Sequence, residues 1–181
     1  NLIEVSPVLS LLENILFTGS ALIYLAATIG YIIYVRGQRE WGSFSAMVLK
    51  IAFVVHTAFI IVRGYNVERL PFVGHYEFGN LFIWTTALVY MWTEWRLKEK
   101  FYAVGAFITP LMMLYFSYLT IIPRLIPAIV VSRMHRPLPP VLQSDWLSIH
   151  VATSVFGYAG FTLAFAAAMI WLLKHYVPAN G

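Results

Sequence analysis

Five stretches of this sequence run almost without charge, each near the roughly 20 residues an α-helix needs to cross a bilayer. They cover Leu12 to Val35, Trp41 to Val62, Phe78 to Trp95, Phe101 to Ile122 and Asp145 to Leu173. A helix satisfies its own backbone polar groups, as lipid demands, so such spans leave little choice of fold. The expected class is an all-α integral membrane protein. It is a single transmembrane domain over residues 1–181, a bundle of about five transmembrane helices with two longer external loops. Composition agrees: 60% of the 181 residues are hydrophobic and 11% charged, where soluble domains carry about 25% charge.

The few charges suggest an orientation. The short connections "RGQRE" (Arg36 to Glu40) and "EWRLKEK" (Glu94 to Lys100) together hold five Lys/Arg, and Lys174 falls on their side. The longer connections, "RGYNVERLPFVGHYEFGN" and Pro123 to Ser144, spread five over far more residues. The positive-inside rule then puts the short loops in the cytoplasm and the amino terminus and long loops on the outer face. The basic residues mark helix ends rather than a patch, which argues against nucleic acid as a partner. With no cysteine, this chain offers no thiols for disulfides, iron–sulfur clusters or covalent haem attachment. The protease, hydrolase, phosphate-loop and dinucleotide signatures HExxH, GxSxG, Walker A and GxGxxG are also missing.

The histidines carry the remaining chemistry. His56 lies inside the second span, where an ionisable residue is costly and marks a site by default. It reads either as a neutral side chain hydrogen-bonded to a neighbouring helix or as an imidazole ligand to haem iron. Arg63, seven positions on, shares its helix face about 10 Å nearer the outer surface, where haem propionates would lie. His150 opens the fifth span, with Trp146 and Ser154 one turn to either side. It reads as an interfacial residue beside a belt tryptophan, or as an iron ligand at the outer face. His75 and His135 belong to the outward loops, and His175 to the cytoplasmic interface. Glu77 stands where the third span enters lipid, a place that the helix dipole makes favourable for a carboxylate.

The run "PVLQSDWLSIHV…GYAGF…WLLK" resembles a segment of the CcsA/ResC family of system II cytochrome c biogenesis, whose pattern is P-x-L-x-S-x-W-L-x-x-H-V followed by Y-x-x-F. Pro140, Leu142, Ser144, Trp146, Leu147, His150, Val151, Tyr158 and Phe161 fit it. The stretch "HTAFIIVRGYNVERLPFVGHYEFGN" is similar to a second family segment, through His56, Thr57, Arg63, Gly74, His75, Tyr76 and Glu77. The family's tryptophan-rich WWD segment has no counterpart here.

The resemblance implies haem handling and delivery for cytochrome c maturation at the outer face, as part of a holocytochrome c synthase and not catalytic alone. His150 would be an external ligand of haem b held in transit, and His56 an intramembrane one. Trp146 would pack on the porphyrin, and Arg63 or Arg136 would pair with its propionates, with His75 and Glu77 as further candidates. Implied partners are a CcsB/ResB-like membrane protein or a missing carboxy-terminal half with the WWD segment, and apocytochrome c. The membrane would be a bacterial inner membrane or a thylakoid-like one. Two other readings stay open: a b-type electron-transfer subunit with paired intramembrane histidines, and a cofactor-free structural subunit of a membrane complex.

Overall fold

The computed structural model describes residues 6–97, 101–126 and 144–176. Helix α1 (Pro7–Val35) starts where Ser6 accepts the Leu9 N–H at 3.2 Å and Pro7 supplies a preset helical φ. The span therefore begins five residues before the apolar run suggests. It ends in a Schellman motif: Gln38 N–H donates to the Ile33 carbonyl and Gly37 N–H to that of Tyr34. Gly37 sits at φ 107°, the left-handed region where a side chain is disfavoured. The chain reverses at once into α2 (Trp41–Val67). Small residues let the two helices close up: Ala27, Ala46 and Ala52 are buried, and a β-carbon on Gly30 would collide with Ser45.

A second reversal ends α2. Arg69 N–H donates to the Gly64 carbonyl and Glu68 N–H to that of Tyr65, with Glu68 left-handed at φ 52°. For a residue with a β-carbon that conformation costs about 1–2 kcal/mol. Its effect is to bring Arg69 back toward the start of α3 (Gly74–Leu97). Helix α4 (Tyr102–Thr120) contains Pro110, which lacks an N–H and so leaves the Ala106 carbonyl without its helical donor. A single turn, α5 (Ile122–Leu125), continues it, and α6 (Asp145–Tyr176) follows.

Helices α1 to α4 form the packed unit. α1 lies against α2 and α4, and α3 against α2 and α4, while α6 leans on α3 and α4 from outside. Interlocked rings fill the interior: Phe17 meets Phe59, Tyr76 and Phe116 at centroid distances of 5.5 to 5.6 Å. Outside, Ile15, Leu22, Ile29, Val54 and Leu114 are exposed, the pattern of a protein solvated by lipid.

Among the described residues, four helices are long and apolar enough to cross a membrane: α1, α2, α4 with α5, and α6. The third expected span differs. α3 has the length but holds Glu77, Asn80, Thr85, Thr86 and Glu94, all buried against the other helices. Lined by protein rather than lipid, it has less need of apolar side chains. His75, expected in a loop, is exposed in its first turn.

Candidate functional site

Three helix ends meet at one end of the bundle and bring four charges together there. Arg63 on α2 donates from Nη1 to Glu13 of α1 at 3.0 Å, and from Nη2 and Nε to Glu77 of α3 at 3.0 and 3.2 Å. Arg69 reaches the same Glu77 at 2.6 Å, and Asn66 donates to the other oxygen of Glu13 at 2.6 Å. The Val73 N–H adds a 3.0 Å bond to Glu77, so this carboxylate also ties down the start of α3. Arg63, Glu13 and Glu77 are buried, and two carboxylates balance two guanidiniums. Burial of such charges is tolerable only when each is paired and hydrogen-bonded, as here. The Arg63 guanidinium is thus committed to two carboxylates, and a haem propionate at Arg63 would have to displace one of them.

Two turns deeper on the same face of α2 lies His56, fully buried. Tyr24 of α1 stands edge-on to its ring at 5.8 Å, with Phe116 of α4 at 5.6 Å and Phe59 at 5.7 Å. Among the described residues neither ring nitrogen has a hydrogen-bond partner, and the Tyr24 hydroxyl and Asn80 Oδ1 are likewise unpaired. An unpaired imidazole nitrogen in a dry interior is the donor that iron requires, so the chemistry fits a haem ligand. The packing is closed around it, with the Tyr24, Phe59 and Phe116 rings set against the imidazole.

His150 has the opposite setting. It is exposed in the second turn of α6, with Trp146 one turn earlier and 78% exposed. Ser154 continues the stripe half-buried. Among the described residues, nothing shields this imidazole at the helix start. Arg136 and His135 lie outside the described residues. Among the described residues, no three His, Cys, Asp or Glu side chains cluster as a metal site, so iron here would depend on single imidazoles plus the macrocycle.

Sequence reasoning passed over Glu13, Asn66, Asn80 and Glu94. Glu13 and Glu94 were findable, since each is a carboxylate inside an expected span and so demands a partner. Glu94 has two: the hydroxyls of Tyr31 and Tyr90 both donate to its Oε2 at 2.5 Å, at the other end of the bundle from Arg63.

Fold and site define an all-α integral membrane protein with one histidine sealed inside a helical bundle and another open at a helix start. The sequence model of the family described as cytochrome C assembly protein matches residues 72–179. That is more than half of the chain, and the chain belongs to this family. His150 and Trp146 fall inside the matched region, whereas His56 and Arg63 precede it. The cytochrome c biogenesis protein CcsA of Trieres chinensis is 27% identical over 149 residues, 81% of this chain and 44% of that protein. The CcsA of Glycine max is 31% identical over 109 residues, 56% of this chain and 31% of its own. That of Phaseolus vulgaris is 31% identical over 108 residues, 55% and 30% respectively. The chain thus spans less than half the length of these curated relatives. No solved structure matches.

Proposed function

We propose that this chain handles haem for cytochrome c maturation at the outer face of its membrane, as part of a larger synthase. The observation that carries the reading is the exposed imidazole of His150 at the start of α6, within the region matched by the family. His150 would ligate iron of a non-covalently held haem b, and Trp146, exposed one turn away, would cover a porphyrin face. Bound haem would supply the vinyl groups to which apocytochrome c thiols add. His56 would serve a separate intramembrane site, since it is sealed at another depth. A CcsB/ResB-like partner, or a carboxy-terminal portion bearing the WWD segment, would complete the ligand sets.

The amino terminus, the segment between α2 and α3 and that between α4 and α6 would face outward. The Glu13–Arg63–Glu77–Arg69 cluster would then underlie the outer surface. An electron-transfer role would need a second buried histidine for a haem held between spans. Among the described residues His56 is the one buried histidine, which weakens that reading within this chain but not within a complex.

The test is the visible spectrum of gently purified protein with whatever accompanies it, oxidised and reduced, for wild type, His150→Ala and His56→Ala. The expected result is a Soret band that His150→Ala removes or strongly weakens. A haem-free wild-type spectrum in an otherwise intact complex would overturn the reading and leave a scaffold.

A further inference from the structure

Among the described residues, His56 is the buried side chain with both its polar atoms unpaired. A neutral imidazole carries one N–H and one lone pair, and an N–H without an acceptor is costly away from water. From α1 and α4 the ring meets Tyr24 and Phe116, and on its own helix Phe59. From α3, Asn80 stands against the same face of α2, beside the Phe59 ring that also packs on His56, with its carboxamide within interaction range of the imidazole. Asn80 is 2% exposed, and together with Phe59 and Arg63 it lines a cavity of about 10 Å³. Its Nδ2 donates to the Tyr76 carbonyl at 2.8 Å, which fixes the way the amide faces. Its Oδ1 has no donor. An acceptor without a donor and a donor without an acceptor therefore face the α2–α3 interface, within reach of each other but not joined by a hydrogen bond of ordinary geometry.

We propose that Asn80 is a positioning residue for His56: its Oδ1 accepts the imidazole N–H, fixes the tautomer, and leaves the other nitrogen's lone pair directed into the bundle. Ligand histidines are commonly oriented this way, with the second ring nitrogen donating to a carbonyl or carboxylate. The anchor to Tyr76 matters because an amide free to turn could present its NH₂ to the imidazole instead. In that case His56 would accept through its lone pair and have nothing to offer iron. The use of that lone pair toward haem rests on the proposed function. The tautomer assignment does not.

The experiment separates the two. Histidine labelled with ¹⁵N in the ring is incorporated into the full chain, and nitrogen shifts are recorded in bilayers or micelles, with His56→Gln to assign the His56 signals. Wild type is expected to show a single His56 tautomer, Asn80→Leu a mixture of two, and Asn80→Asp, which keeps an acceptor, a single one again. Asn80→Ala serves where the leucine variant fails to fold. A mixture in wild type, or an unchanged single tautomer in both Asn80→Leu and Asn80→Ala, would overturn the proposal. The same samples are titrated with haem. Loss of the partner should weaken binding at His56 by about 10- to 100-fold and shift the reduced visible bands. Wild-type protein in which His56→Gln changes neither affinity nor bands would remove the haem role of His56 while leaving the tautomer result standing.

Discussion

The two histidines belong to two differently built regions. His56 sits in the α1–α4 unit, where rings interlock and the polar groups sort into an ion cluster at one end and a tyrosine-bound carboxylate at the other. His150 sits on α6, a helix of 32 residues that leans on α3 and α4 with most of its surface uncovered. In the first region a side chain's neighbours determine what it can do, and any change must be accommodated by its packing. In the second, a side chain faces lipid or a partner and can change without disturbing the fold. The comparison therefore predicts where substitutions cost stability and where they alter only binding.

The largest effect is expected at Arg63. In Arg63→Met, Glu13 loses the Arg63 guanidinium and Glu77 keeps Arg69 and the Val73 N–H, so one guanidinium no longer balances two buried carboxylates. Removing one partner of a buried ion pair costs about 3–5 kcal/mol. Unfolding in mixed micelles would measure it, and a loss under 1 kcal/mol would show that the cluster is solvated rather than sealed.

Next comes Gly105 on α4. A β-carbon there would stand 2.5 Å from the Tyr90 hydroxyl and 2.7 Å from the Tyr31 ring. Both tyrosines are pinned by their bonds to Glu94, so neither can yield easily. Gly105→Ala is expected to cost about 1–3 kcal/mol through overpacking. The same substitution at Gly160 on α6 meets nothing within 4 Å. There, relief of glycine's backbone entropy should stabilise by up to about 1 kcal/mol. Opposite signs at these two glycines would establish the difference between the regions, and equal costs would mean that α6 is covered where it looks open.

How much of this could be read beforehand follows the same division. The spans were legible because lipid imposes length and apolarity directly on the chain. That Trp146 and His150 share a stripe at the start of one helix was legible because spacing along a helix needs no knowledge of neighbours. The polar interior was not. Arg63 shares a face with His56, as spacing implied, but that it would be committed to Glu13 depends on two residues 50 positions apart meeting across α1 and α2. Asn80 was hidden for a similar reason, since an asparagine in α3 gains meaning only from the imidazole opposite it. The lower apolarity of α3 was visible in its sequence. Its cause, burial among other helices, lay in the packing.

The smallest expected change in stability is at His150 itself, and it sharpens the comparison most. The side chain is exposed, and among the described residues its ring has no packing partner whose loss would leave a cavity. His150→Ala should therefore leave unfolding within about 0.5 kcal/mol of wild type, the range of ordinary surface changes. If the visible spectrum collapses in a variant whose stability is untouched, the imidazole acts on a ligand and not on the fold. If stability falls by 2 kcal/mol or more, His150 is buried against a partner in the assembled protein, and its exposure marks an interface that this chain alone leaves open.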